Sequence, residues 1–145
     1  MNQDHYSRLE RMYLKAKVNT HIYDTTTCKI SDESAEISLI VSEKYFHGLD
    51  AIHGSVYFKL LDDAAFFAVN SIVEDVFVLT TSFNINMIRP VNKGKITAKG
   101  KIKFKSRDLF VGQATLYNEQ GKEIGFGTGN FVKSKVKLSE GIGYK

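Results

Sequence analysis

The chain has 145 residues, of which 43% are hydrophobic and 25% charged, and its formal net charge is +4. These values are typical of one globular domain spanning residues 1–145, and no apolar run approaches the roughly 18 residues that a membrane span requires. A single cysteine excludes an intramolecular disulfide, and the polar first segment lacks the apolar core of a secretory signal, so we expect a cytoplasmic protein.

The first third of the chain predicts one helix and two strands. Apolar residues recur at three- and four-residue spacing from Tyr6 to Ala16, which predicts an amphipathic helix over residues 3–17. A segment rich in Thr, Ile and Tyr, residues 19–30, favours a strand. Alternating apolar residues over 34–41 favour another strand. The core of the domain is therefore expected to begin at about residue 19.

A second, longer helix is predicted over residues 55–72, after a loop that contains two glycines and two histidines. Ser55 is a suitable N-cap residue for it. The helix is apolar on nearly all sides, which predicts that it is buried in the middle of the fold. It nevertheless carries two carboxylates, Asp62 and Asp63.

Four more strands are predicted over residues 77–89, 95–106, 108–118 and 122–134, and the polar segment after them is expected to fray. This order indicates an α+β fold with an antiparallel sheet of about five to six strands wrapped around one long central helix. Such a sheet leaves a strand edge open, and a dimer that pairs these edges is the natural completion.

The junction between loop and central helix has the features of a site that binds a carbonyl oxygen. The first N–H groups of a helix lack partners within it and lie at the positive end of its dipole. Gly54 has no side chain, so its N–H can approach a ligand closely and polarise a carbonyl. Taken singly, His53 could be a hydrogen-bonded loop residue, and Asp62 or Asp63 could form a cap or pair with Lys59.

Residues 47–65, HGLDAIHGSVYFKLLDDAA, carry the strongest motif of the chain. The segment resembles the hotdog-fold thioesterases of the PaaI-like group, within the 4-hydroxybenzoyl-CoA thioesterase superfamily. His53-Gly54 matches the His-Gly of that group, and Leu60-x-Asp62 matches its Leu-x-Asp, with the acid nine residues after the His.

The resemblance extends over roughly residues 35–133. Residues 83–90, which end in Pro, and the following Gly94 match a strand of the family, and the hairpin at 118–122 also fits. The family fold is the one that the order of helices and strands predicts independently.

The resemblance implies hydrolysis of acyl thioesters, with acyl-CoA as the substrate, CoA as part of it and no separate cofactor. Asp62 falls on the catalytic acid of the family, as nucleophile or as general base for water, and its rival Asp63 fits the spacing less well. Thr80 falls on a helper hydroxyl, while Thr81 would face the opposite way. The Gly54 N–H would polarise the thioester carbonyl.

The resemblance also implies a homo-oligomer, either dimer or tetramer, whose active site takes the acid from one subunit and the glycine from another. Three positions depart from the family pattern: His47 replaces an Asn, Asp50 a Gly and Ser55 a second Gly. His47 can still donate a hydrogen bond, so it stays a candidate catalytic residue beside His53. Asp50 would raise the pKa of a nearby acid.

Basic residues alternate along the strand predicted at 95–106, which would place them on one face, with Ile102 and Phe104 toward the core. They are Lys99, Lys101, Lys103, Lys105 and Arg107. They are explained either by a solvated strand face or by attraction of the CoA phosphates. The residues expected to contact the substrate are Ser55, Asp63, Thr81, Arg89, Lys93, Lys105 and Arg107.

The sequence is compatible with two other functions. A protein of the same fold could bind acyl-CoA or a related ligand without hydrolysing it, which the departures at His47, Asp50 and Ser55 favour. A hotdog dehydratase ranks last, because its His-Phe-Pro signature is absent. The sequence has neither metal-ligand spacing nor a nucleic-acid-binding motif, so we expect no metal, no nucleic acid and no membrane partner.

Overall fold

The structure is a computed structural model that describes residues 2–145, and it confirms the predicted α+β fold. In chain order the elements are α1 (Gln3–Lys15), β1 (Thr27–Ser31), β2 (Ser34–Ile40), α2 (Gly54–Asn70), β3 (Val76–Met87), β4 (Lys95–Lys105), β5 (Phe110–Tyr117) and β6 (Glu123–Lys137). The six strands form one antiparallel sheet, in the order β1-β2-β4-β5-β6-β3, which packs against the long helix α2.

The central helix α2 lies on one face of the sheet and contacts strands β2 to β6. Its apolar side chains form the core: Leu60, Leu61 and Ala64 are fully buried. Small residues allow the close approach of helix and sheet, since a Cβ at Gly100 of β4 would lie 2.3 Å from the carbonyl of Ala64. Among residues 2–145, no helix is long and apolar enough to cross a membrane.

The strand predicted over residues 19–30 is wrong in its first half. The chain forms a π-helical turn at Val18–Ile22, and β1 begins only at Thr27. Asn19 explains the difference, because its side chain is buried and donates a 2.8 Å hydrogen bond to the carbonyl of Tyr13. Such a side-chain bond to the backbone competes with a strand ladder, whatever the β-propensity of the neighbouring residues.

The start of α2 also differs from the prediction. The N-cap residue is His53, whose Nδ1 accepts a 3.0 Å hydrogen bond from the N–H of Ser55. Ser55 is therefore the second residue of the helix, not its cap. An imidazole nitrogen can fill the position that a Ser or Asp oxygen usually occupies at a helix start.

The C-terminal segment, predicted to fray, is instead docked on α1. Strand β6 continues to Lys137, a 3-10 turn follows at Glu140–Ile142, and the hydroxyl of Tyr144 lies 2.7 Å from Nδ1 of His5. The other ring nitrogen of His5 lies 2.8 Å from a carbonyl oxygen, so it donates and Nδ1 accepts from Tyr144. The buried His5 thus holds the last residues in place.

The predicted face of five basic residues is broken by a β-bulge. The register with β5 shifts between Ile102 and Phe104, so that Phe104 lies opposite Val111 and is 52% exposed rather than turned to the core. Lys105 lies opposite the buried Phe110 and forms a 2.6 Å ion pair with Glu33. Arg107 lies after the end of β4, with Asp108 3.3 Å away.

We predict that Gly100→Ala destabilises the fold. The added Cβ would lie 2.3 Å from backbone atoms of α2, which cannot move like a flexible side chain. We expect the free energy of unfolding in a denaturant titration to fall by about 2 kcal/mol or more. The control is Gly48→Ala, because a Cβ there meets no atom within 4 Å. Equal stabilities of the two variants would contradict the close packing of α2 on β4.

Candidate active site

Asp62 is a partly buried carboxylate on α2, and no cation among residues 2–145 forms an ion pair with it. Its Oδ1 accepts a 2.9 Å hydrogen bond from the hydroxyl of Thr80 on β3. Burial raises the pKa of Asp62 to about 6, the repulsion of Asp63 adds to the rise, and the Thr80 hydrogen bond opposes it. A carboxyl group with this pKa is ionised at neutral pH and still basic enough to accept a proton.

Asp63, its neighbour, is engaged in a polar cluster. Lys59 lies one turn earlier on α2, and its Nζ donates a 2.7 Å bond to Oδ2 of Asp63. The hydroxyl of Tyr13 donates to the same oxygen at 2.5 Å. Nζ of Lys59 also donates to Oδ1 of Asn19 at 2.8 Å. Asp63 therefore connects α1 and the π-helical turn to α2, and it is the less available of the two acids.

The cavity beside Asp62 has a volume of about 560 Å³. Most of its wall is apolar or aromatic, including Phe66, Phe67 and Phe77, and Thr80 lies at its edge. These side chains exclude water from the carboxylate, which is the physical cause of the raised pKa. The size lies within the range of about 300–1,000 Å³ usual for pockets that hold small ligands.

A second cavity, of about 370 Å³, lies at the N-terminus of α2 and includes Gly54, His47 and Arg89 in its wall. Among residues 2–145, no acceptor atom forms a hydrogen bond with the Gly54 N–H. His47 accepts a 3.0 Å bond from the N–H of Leu49 at Nδ1, which leaves Nε2 for another partner. The cavity thus combines a free helix N–H with a side chain that can donate.

Two of the departures from the family pattern have a local structural role. Asp50 has φ 59°, a left-handed conformation that glycine adopts most easily and that Asp and Asn tolerate better than other residues. Its N–H donates a 3.0 Å bond to the carbonyl of His47, which closes the turn. The hydroxyl of Ser55 lies 2.8 Å from Nδ1 of His53 and so orients that exposed ring.

The two cavities are separate within one chain. Gly54 and Asp62 are eight residues apart on α2, which corresponds to about 12 Å along the helix axis. One carbonyl group cannot contact both. The structure therefore brings together Asp62 with Thr80, and His47 with Gly54, but does not join the two pairs.

The remaining candidates lie outside both cavities, apart from Arg89. Thr81 donates a 3.2 Å bond to the carbonyl of Asn130, on the exposed side of β3. Lys93, Lys105 and Arg107 line neither cavity. In the described part of the chain, no group of three or more His, Cys, Asp or Glu side chains is placed to hold a metal ion.

Sequence reasoning missed part of the polar cluster around Asp63. The four-residue spacing of Lys59 and Asp63 on a helix indicates an ion pair. Tyr13 and Asn19 carry no such signal, because they reach the cluster only when α1 and the π-helical turn dock on α2.

An antiparallel sheet of six strands packed on one long central helix is the architecture of the hotdog fold. The family model described as the thioesterase superfamily matches residues 49–124, which include Gly54 and Asp62 of α2. The chain belongs to this superfamily.

Solved structures support the same fold. The PaaI protein of the E. coli phenylacetic acid degradation operon is 17% identical, with a TM-score of 0.83 over 94% of this chain and 97% of that one. A thioesterase from Haemophilus influenzae is 21% identical, with a TM-score of 0.73 over 84% and 85%. A conserved protein from Pseudomonas aeruginosa is 21% identical, with a TM-score of 0.76 over 85% and 97%. No curated protein matches the sequence significantly.

We predict opposite stability changes for Asp62→Asn and Asp63→Asn at pH 7. The folded state holds the Asp62 proton more tightly than the unfolded state, so the fold loses stability as pH rises from about 4 to about 6, and this loss stays constant at higher pH. Asp62→Asn removes this cost and should add about 1–3 kcal/mol to the free energy of unfolding. Asp63→Asn leaves the mostly buried Lys59 without its counter-ion and should remove about 1–3 kcal/mol.

Urea titrations at pH 7 and pH 4 measure both effects. At pH 4 the gain from Asp62→Asn should shrink, because Asp62 is protonated in the folded state and about half protonated in the unfolded one. A loss of stability in both variants at pH 7 would show that Asp62 is a structural residue like its neighbour.

Proposed function

We propose that this protein hydrolyses acyl-CoA thioesters, with Asp62 as nucleophile or general base. Membership of the thioesterase superfamily supports thioester hydrolysis in general. The observation that carries the finer assignment is the contrast on α2: Asp62 has only a threonine hydroxyl as partner, while Asp63 is held by Lys59 and Tyr13. A carboxylate that is partly buried, has no cation in direct contact and has a pKa raised toward neutrality suits proton transfer.

In the general-base route, the ionised Asp62 takes a proton from a water molecule as the water oxygen bonds to the thioester carbon. The tetrahedral intermediate then breaks its C–S bond, and the proton held by Asp62 passes to the departing thiolate. The products are the free acid and the CoA thiol. Thr80 orients the carboxylate through its hydrogen bond and is a positioning residue.

In the nucleophile route, a carboxylate oxygen of Asp62 bonds to the thioester carbon and the thiolate leaves. This step forms an anhydride between Asp62 and the acyl group, which water then hydrolyses. Both routes require the ionised carboxylate. They also require a donor at the carbonyl oxygen, where negative charge develops, because such donors stabilise the transition state strongly.

The donor in this proposal is the Gly54 N–H of a second subunit, because the Gly54 of the same chain lies about 12 Å away along α2. Strand β3 carries Thr80 and forms one edge of the sheet, so it is available to pair with a second copy. A homodimer, or a tetramer built from dimers, would then join the Asp62 cavity of one subunit with the Gly54 cavity of the other.

The basic residues near Gly54 would receive the CoA phosphates. Arg89 lines the Gly54 cavity, and Nη1 of its guanidinium group donates a 2.7 Å bond to the carbonyl of Glu123. Lys93 is exposed on the same loop. The guanidinium keeps other N–H groups for phosphate oxygens.

We predict that thiol release from acyl-CoA esters by the unmodified protein falls as pH drops below about 6, because protonated Asp62 can neither attack nor accept a proton. Asp62→Asn should abolish turnover at every pH. Thr80→Val should move the midpoint of the pH profile upward, because it removes the hydrogen bond that lowers the pKa of Asp62. The measurement is thiol release against pH with short, long and aromatic esters.

Thr81→Val is the matched control, because this hydroxyl bonds only to a backbone carbonyl on the exposed side of β3. Its profile should equal that of the unmodified protein. Full activity of Asp62→Asn would exclude Asp62 as the catalytic group. Tight binding of acyl-CoA without thiol release would favour the non-hydrolytic binder of the same fold.

We further predict that Gly54→Pro reduces kcat about 100-fold or more, because proline removes the N–H that the transition state requires. Proline is well tolerated at the first position of a helix, and the preceding His53 has the extended conformation that proline favours. Gly54→Ala is the control, because it keeps the N–H while its Cβ meets the same flexible Met87 side chain.

Co-expression of Asp62→Asn and Gly54→Pro chains tests the shared site. A mixed dimer holds one intact site, so random pairing should restore about a quarter of the original activity. An inactive mixture with intact dimers would show that both groups must come from the same chain.

A further inference from the structure

The cavity at Asp62 adjoins a second groove that the proposed reaction does not use. The second groove has a volume of about 630 Å³ and shares five wall residues with the first: Tyr13, Ala16, Phe67, Phe77 and Leu79. We call it the distal groove. Its further wall contains Met12 of α1, Val136 of β6 and residues 142–143 of the C-terminal segment.

The distal groove is lined almost entirely by apolar groups. Lys15 is the one charged residue in its wall, and the hydroxyl of Tyr13 is turned away toward Asp63. A polar or charged ligand would lose its hydration there without gaining hydrogen bonds. The chemistry of the wall therefore fits a hydrocarbon.

The C-terminal segment that forms the far end of the distal groove is held in place by specific contacts. Gly143 has φ 94°, and a Cβ at this residue would lie 3.4 Å from Cα of Met12. The next residue, Tyr144, is held by the buried His5 at 2.7 Å. The carbonyl of Lys145 accepts a 2.5 Å bond from Nε of Arg11. These contacts fix the C-terminal segment against α1.

We propose that the distal groove holds the far part of the acyl chain, so that the protein prefers thioesters of unbranched chains longer than butyryl. The proposal rests on the proposed function for the position of the thioester carbonyl at Asp62. The two grooves adjoin and each is large enough for a small ligand, so an acetyl group would leave most of the space empty. Two adjoining grooves suit a flexible extended chain better than a compact aromatic ring.

The test compares kcat/KM for acetyl-, butyryl-, octanoyl-, dodecanoyl- and phenylacetyl-CoA. Each methylene group that enters the groove should raise kcat/KM about fourfold. The variant Val136→Trp fills the distal groove from a position that is 53% exposed and does not touch the Asp62 cavity. It should lower kcat/KM for dodecanoyl-CoA about tenfold or more and leave acetyl-CoA unchanged.

Ile40→Trp is the matched control, because Ile40 is 54% exposed at the end of β2 and lines neither groove. Its chain-length profile should equal that of the unmodified protein. Dissociation constants for the same esters, measured by calorimetry on Asp62→Asn, separate this proposal from the thioesterase proposal. Tighter binding of longer chains, lost in the Asp62→Asn/Val136→Trp double variant, supports the groove even if no ester is hydrolysed.

Three results would overturn the proposal. Hydrolysis and binding that do not improve beyond butyryl would show that the distal groove is not an acyl site, although the thioesterase assignment would stand. A preference for phenylacetyl-CoA over octanoyl-CoA would show that the ligand is a compact ring. An equal loss for all esters in Val136→Trp, together with dissociation of the oligomer, would show that a second copy of the chain covers the groove.

Discussion

The fold depends on the burial of one helix that is apolar on almost every side. Such a helix cannot remain stable on a flat surface, so strands β2 to β6 all contribute to its burial. The approach is as close as the backbone allows, because Gly100 meets the carbonyl of Ala64 without a side chain between them. The same burial places the middle of α2 where water is scarce, and this is where Asp62 lies.

Two adjacent carboxylates on this helix have different environments because successive helical residues point in directions about 100° apart. Asp63 points toward α1 and meets Lys59 and Tyr13, whereas Asp62 points toward β3 and meets only Thr80. Lys59 neutralises the charge of Asp63, whereas Asp62 has no such partner and its pKa is raised. The docking of α1 therefore separates a structural acid from a candidate catalytic one.

The central helix and the four strands after it follow closely from the sequence, because their apolar periodicity agrees with the burial that they have in the fold. The errors lie where distant contacts override local pattern. Asn19 forms a buried hydrogen bond that favours a π-helical turn in a segment of high β-propensity. His5 forms a hydrogen bond with Tyr144 that orders the polar C-terminal segment. The bulge near Lys103 turns Phe104 to the opposite face of the sheet, and the apolar periodicity of the sequence does not predict it.

Part of the candidate site could likewise be predicted from the sequence. The positions of Gly54 and Asp62 on one helix follow from the sequence motif, as does the choice of Thr80 over Thr81. The distance between the two helix positions also follows from helix geometry. The distal groove was not predictable, because its walls come from α1, β3, β6 and the C-terminal segment, which lie far apart in the sequence.

The raised pKa of Asp62 has a consequence for how this chain would change over generations. The ionised Asp62 lowers the stability of the fold at neutral pH, and a stabilising replacement at such a site commonly costs function. Selection for stability alone would replace Asp62 and preserve Asp63 with Lys59. In a set of natural relatives, the loss of the first acid with retention of the second would therefore mark lineages in which the catalysis proposed for Asp62 is lost while the fold is kept.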